Sequence, residues 1–236
     1  MKLEGCVQIL KAVIFDLDGT LIDSKIDFRK MKRRNIKLLE ASGVEQGLLT
    51  EEMLNYDIER RAIENLRKKG VSEEEIQRVF QKVAKIMNEI ELETIEGAKL
   101  LDGVLETLEK LKSLGLKIGI ITRSCREYAN RILEKFNLEK LIDAVAARDD
   151  VLKPKPDPEH PRYLMKLLGV KASETVLIGD HPMDALCAKN VGMRFFLIPK
   201  RDTNFEAFKQ YSHEILWNIR DIVYILEGEE EAKLDR

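Results

Sequence analysis

The chain lacks any apolar run near the roughly 20 residues that a membrane span needs, so no stretch of it is expected to cross a bilayer. It has only three cysteines, Cys6, Cys125 and Cys187, far apart and without a CxxC pair. An odd, scattered set reads as reduced thiols, the pattern of a cytoplasmic protein. The opening "MKLEGCVQILK" has an apolar part too short and too interrupted for a secretory signal. Charge of one sign is lacking as well, since 40 Lys and Arg face 42 Asp and Glu. That balance gives no general attraction to nucleic acid or to an anionic membrane, and neither is expected as a partner. Internal repeats, low-complexity segments and long flexible linkers are missing too. A soluble cytoplasmic protein is the expectation.

What is present is charge, at 35% of residues against a usual value of about 25%. The Lys and Glu enrichment fits a heat-adapted source. At 236 residues the chain can bury one large core, or one core plus an insert. β-like runs recur at 12–15 ("AVIF"), 118–121 ("IGII"), 144–147 ("AVAA"), 176–179 ("VLIG") and 195–198 ("FFLI"). Four of them are unbroken apolar runs, which suits strands covered on both faces. Between them lie helical patterns. One has Asp102 as N-cap, apolar positions at Val104, Leu105, Leu108, Leu111 and Leu114, and Gly115 as its stop. Alternating strands and helices predict an α/β fold, a doubly wound parallel sheet. Residues 25–96 break the rhythm with helices alone, over 25–42, 50–69 and 72–94, the third opened by a Ser72–Glu75 capping box. The expected organisation is a Rossmann-like core, 1–22 and 97–236, with an all-helical cap domain, 23–96, inserted into it. The acidic end "EGEEEAKLDR" is expected to fray.

The chemistry gathers at strand ends. "AVIF" runs into Asp16, "IGII" into Thr122 and "VLIG" into Asp180. In an open parallel sheet, ligands bind beyond the carboxyl ends of the strands, so these groups should share one crevice. Asp18 stands two residues from Asp16, and Asp184 four from Asp180 across a strand-to-helix turn; each pair can face one side. Bare carboxylates so clustered would repel, and a hard divalent cation with oxygen ligands resolves the conflict. Mg²⁺ suits a few carboxylates plus a substrate phosphate. Gly19 and Thr20 make the following turn, where free amides can hold phosphate oxygens. The span "VLKPKPDPEHPRY", 151–163, carries four prolines that stiffen it, so that Lys153 or Lys155 could be held inward against anionic charge.

As an ordered set, "DLDGT" at 16–20, "IITR" ending on Thr122–Arg123, Lys155 in "KPDP", and "GDHPMD" at 179–184 resemble the haloacid dehalogenase superfamily of hydrolases. The nearest pattern is that of phosphoglycolate phosphatase-like enzymes with a helical cap. The resemblance implies Asp16 as the nucleophile that accepts the phosphoryl group. Asp18 would be the acid and then the base. Thr122 and Lys155, here preferred over Lys153, would stabilise the phosphoryl oxygens. Gly19 and Thr20 are read as substrate-contacting through their turn, and Arg123, which departs from the Asn of many relatives, as contacting substrate or salt-bridging at the rim. It implies Mg²⁺ held by Asp16, Asp18 through its backbone carbonyl, and Asp180, with Asp184 supporting. The expected activity is hydrolysis of small phosphate monoesters, phosphoglycolate first among them. A phosphosugar mutase of the same superfamily, or a non-hydrolytic phospho-acceptor signalling or binding protein, is the alternative. The partner is a small phosphorylated metabolite; oligomeric state is not fixed by the sequence.

Other signals read as ordinary. "RKMKRRNIK", 29–37, is read as the solvated face of an amphipathic helix with Phe28, Met31, Leu38 and Leu39 available for packing. His181 is expected to be a loop residue and His160 structural, His213 has no visible partner, and Cys125 lacks the histidine a thiol nucleophile needs.

Overall fold

The computed structural model describes residues 10–211 and 214–234, so Cys6 and His213 lie outside the described residues. Among the described residues no helix is long and apolar enough to cross a membrane. The chain divides into two compact units, one of residues 25–97 and one of the described parts of 1–24 and 98–236.

In the larger unit, six parallel strands form one sheet. They are β1 (Ala12–Phe15), β4 (Lys117–Ile121), β5 (Ala144–Ala146), β6 (Thr175–Gly179), β7 (Arg194–Leu197) and β8 (Glu214–Ile215), in the order β5-β4-β1-β6-β7-β8. Strand β1 is central and wholly buried, with Phe15 in register with Ile120 on one side and Ile178 on the other. All four of its residues are apolar because neither face meets water. The chain builds outward from β1 through β4 to β5, then crosses over to begin again at β6. That reversal makes the carboxyl end of β1 the switch point of the sheet.

Helices α6 (Glu159–Leu168) and α7 (Pro182–Lys189) pack on one face, where Leu164, Leu168, Ala185 and Ala188 bury against Ile14, Leu177 and Phe195. Helix α4 (Val104–Ser113) packs on β4 and against α8 (Asp221–Leu234). Helix α5 is Arg126–Lys135.

Several local expectations are corrected. Asp102 does not cap α4: its carboxylate pairs with Arg220, and the capping position falls to Gly103 in a left-handed conformation. Gly115 ends the helix as expected, its N–H donating to the Lys112 carbonyl. Helix α8 runs to Leu234, and the last two residues of the acidic end lie outside the described residues. Three two-residue strands are too short to carry a periodic signal. These are β8 and the antiparallel pair β2 (Ile22–Asp23) and β3 (Lys99–Leu100), which lie in sequence where the chain leaves this unit and returns to it.

The smaller unit is three helices, α1 (Phe28–Ala41), α2 (Asn55–Lys68) and α3 (Glu73–Leu92). Met31 and Leu39, Ile58 and Leu66, and Val83 and Met87 are buried within it, while Phe28 remains half exposed. The Ser72–Glu75 capping box is present. The basic run is largely spent inside the unit: Arg29 and Arg33 pair with Glu51, Lys30 with Glu93, and Arg34 with Glu89.

Candidate active site

Three strand ends of the larger unit deliver the polar groups. Asp16 follows β1, its N–H donating to the Ile178 carbonyl, and Thr122 follows β4, its N–H donating to the Ala146 carbonyl. Asp180 follows β6, and Asp184 returns to the same place from the first turn of α7. Asp16, Asp180 and Asp184 each offer a carboxylate oxygen within 4.8 Å of the others.

Asp184 owes its position to two neighbours. The N–H of His181 donates to its Oδ2 at 3.2 Å, closing a capping box in which His181 Nδ1 accepts from Met183 N–H. Gly179 lets the carboxylate tuck under the strand end, since a Cβ there would lie 2.7 Å from Asp184 Cβ, Cγ and Oδ2. His181 is thus a helix cap as well as a loop residue.

Lysine 155 enters from the proline-rich loop and is buried, whereas Lys153 is exposed. Its Nζ donates to Asp16 Oδ1 at 2.5 Å, Asp184 Oδ1 at 2.7 Å and the Ile121 carbonyl at 3.0 Å. Burial pushes the Asp16 carboxyl well above the usual range; Lys155 opposes the shift, and Asp184, Asp180 and Asp18 reinforce it. Burial also works against the Lys155 ammonium, but Asp16 and then Asp184 outweigh it, so its pKa lies above the ordinary lysine range.

The backbone of that lysine is held from behind. His160 is fully buried; its Nδ1 accepts from the Lys155 N–H at 3.0 Å, and its Nε2 faces the Ala146 carbonyl at 3.1 Å. That pairing assigns the ring proton to Nε2. Burial, with Lys155 nearby, lowers the His160 pKa to about 3, so the ring is neutral. Arg123 Nη1 donates to the Lys155 carbonyl at 2.5 Å, and Arg148 donates to the Arg123 carbonyl.

The Asp18 side chain turns to a different set of partners. Its Oδ2 accepts from Ser124 Oγ at 2.7 Å and Thr122 Oγ1 at 3.3 Å, and its Oδ1 from Tyr128 OH at 3.0 Å. Thr122 Oγ1 in turn accepts from Ser124 N–H at 2.9 Å. The next turn differs from expectation, because the Gly19 N–H donates to the Ile22 carbonyl at 2.7 Å and is not free for a ligand. Gly19 adopts φ 95°, and Thr20 Oγ1 donates to Asp180 Oδ1 at 3.3 Å. Lys200, from the loop after β7, pairs with Asp180 Oδ2.

Buried aspartate, buried ammonium, carboxylate cluster and a second acid two residues on form a constellation that meets similar proteins in sequence and in fold. The family model for haloacid dehalogenase-like hydrolases matches residues 13–198. This chain belongs to the haloacid dehalogenase-like hydrolases. A protein of Caldanaerobacter subterraneus subsp. tengcongensis bearing the PpaX name is 30% identical over 227 residues, 91% of this chain and 94% of that one. A phosphoglycolate phosphatase of Pseudomonas syringae pv. tomato is 29% identical over 191 residues, 79% of this chain and 68% of that protein. In fold, the crystal structure of a phosphatase of the family from Thermococcus onnurineus matches with a TM-score of 0.61 at 22% identity, over 93% of this chain and 99% of that one.

Within this hydrolase, the sequence alone does not announce Ser124, Tyr128 and Lys200, whereas the structural role expected of His160 is the one its buried ring plays behind Lys155. Ser124 and Tyr128 carried one faint signal: they lie two and six residues beyond Thr122, so a turn and the first turn of α5 can aim both at the same strand end. Lys200 stands two residues past the apolar run "FFLI", after Pro199, so the strand-end rule points to its loop but not to the residue itself.

Proposed function

We propose that this hydrolase is a Mg²⁺-dependent phosphatase of small phosphate monoesters. The observation that carries the reading is the Lys155 ammonium shared by Asp16 and Asp184, with Asp180 close enough to complete an all-oxygen cation site. Attack of a carboxylate on a phosphate monoester brings two anions together and needs concentrated positive charge.

In this reading Asp16 attacks phosphorus. The ester P–O bond breaks, and its electron pair leaves on the alcohol oxygen with a proton from Asp18. Asp18 then takes a proton from water as the water oxygen attacks the aspartyl phosphate. The bond from phosphorus to Asp16 breaks, and the carboxylate is restored. The Thr122 hydroxyl turns its one proton from Asp18 to a phosphoryl oxygen when substrate binds, and Lys155 offsets charge on the phosphoryl group and on Asp16 throughout. The hydroxyls of Ser124 and Tyr128 hold Asp18 in a fixed orientation for both proton transfers. Oxygen ligands from Asp16, Asp180 and Asp184 fit a hard divalent cation, which when bound supplies charge neutralisation and orients the phosphoryl group. The backbone carbonyl of Asp18 would be a further ligand. Arg123, with Nη1 on the Lys155 carbonyl, is a positioning residue for the lysine loop, and Gly19 and Thr20 shape the turn beside Asp180.

Residues 25–97 serve as the cap in this account, and the substrate is a small acid phosphate. Phosphoglycolate is the first choice, supported by the relative of that name. The test is phosphate release from p-nitrophenyl phosphate, then from a panel headed by phosphoglycolate and pyrophosphate, in Mg²⁺ and in EDTA. Cation-dependent release supports the reading. Isomerised sugar phosphate without net release of phosphate would indicate a mutase.

A further inference from the structure

The two lysines at the carboxylate cluster are held very differently. Lys155 is almost wholly enclosed, has three acceptors and bridges two buried carboxylates. Removing its ammonium would strand buried negative charge. Lys200 approaches from the other side. Its side chain is 51% exposed, while that of its partner Asp180 is 8% exposed. The ammonium lies against the turn that follows Asp18: a Cβ on Gly19 would come within 2.2 Å of Lys200 Nζ and 2.7 Å of Asp180 Oδ2. Burial works against the charge on Lys200, but Asp180 and then Asp16 hold its pKa above the ordinary value.

We propose that Lys200 sets the divalent-cation affinity of the site by competing for Asp180. The inference rests on the cation site of the proposed phosphatase and adds a residue to it. Asp180 Oδ1 is approached by the Thr20 hydroxyl and Oδ2 carries the Lys200 ammonium, so a cation that uses Oδ2 must work against a positive charge already there. The long, half-exposed lysine stem can swing into water at little cost, which Lys155 cannot do. Lys200 is therefore the exchangeable counter-charge and Lys155 the permanent one. Competition keeps Asp180 neutralised at low cation concentration and weakens cation binding. A lysine that merely oriented Asp180 would have the opposite effect.

The experiment is calorimetric titration of the full chain with Mg²⁺, without substrate, for wild type, Lys200→Gln, Lys200→Arg and Arg201→Gln. Arg201 is the exposed neighbour, and its substitution removes the same unit of charge from the same loop. Competition predicts about fivefold tighter Mg²⁺ binding for Lys200→Gln, the size of a partly exposed ion pair, and much less change for Lys200→Arg or Arg201→Gln. In EDTA, Lys200→Gln should melt below wild type and recover more with added Mg²⁺. Unchanged or weaker binding by Lys200→Gln, with wild type binding normally, overturns the role of Lys200 and leaves the phosphatase reading standing. Wild type that binds no Mg²⁺ overturns both.

Discussion

Lys155 Nζ stands 2.5 Å from Asp16 Oδ1, although 139 residues of chain separate them. The contact joins the proline-rich loop to the end of the central strand and places a buried positive charge on the proposed nucleophile. Lys155→Met should therefore leave the Asp16 and Asp184 carboxylates buried without their cation. We expect a loss of about 3–5 kcal/mol in urea unfolding, together with loss of turnover. Unchanged stability would mean that the ammonium is not the partner on which the cluster depends.

Three hydroxyls converge on Asp18, and two of them, from Ser124 and Tyr128, are dispensable to the fold if their work is orientation. Tyr128→Phe and Ser124→Ala should each lower kcat about tenfold, with little change in KM, because they disturb proton transfer more than binding. Steady-state kinetics on p-nitrophenyl phosphate checks this. A rise in KM at constant kcat would assign them to substrate binding instead.

His160 makes the fold sensitive to acid. Its folded-state pKa, about 3, is depressed from an ordinary 6.5, so the native protein holds it neutral. The corresponding stability is present above pH 6.5 and is lost as pH falls toward 3, because the unfolded chain takes up the proton first. His160→Gln can keep both hydrogen bonds without titrating. Urea midpoints at pH 7 and pH 4.5 should fall further in wild type than in this variant.

Gly179 tests the seat of Asp184. With an added Cβ only 2.7 Å from that carboxylate, Gly179→Ala must push Asp184 off Lys155 or bend the end of β6. We expect lowered thermal stability and weaker Mg²⁺ binding in the same variant; normal cation affinity would show that Asp184 is not needed to hold the ion.

The framework of this site is legible in the chain because it depends on local signals. Unbroken apolar runs mark β1, β4 and β6, and the polar residue that ends each run must lie at the same edge of a parallel sheet. Asp16, Thr122 and Asp180 follow from that alone. The rest depends on tertiary packing. Nothing local says that the Tyr128 hydroxyl reaches Asp18, or that His160 turns one nitrogen to the Lys155 amide and the other to Ala146. Asp102 shows the reverse error. Its sequence context favours a cap, but a guanidinium 118 residues away offers two hydrogen bonds, and Gly103 can take the left-handed turn that starts α4. The strands β2, β3 and β8, with two residues each, are set by their partners and leave no periodic trace.

The central claim is that Asp16 carries the phosphoryl group, and the most direct measurement is to trap it there. Protein turning over p-nitrophenyl phosphate in Mg²⁺ would be quenched with borohydride, which reduces an aspartyl phosphate to homoserine, and its peptides read by mass spectrometry. The account predicts reductive conversion at Asp16, dependent on substrate and absent in Asp16→Asn. Conversion at Asp18, or none during measurable turnover, would contradict it.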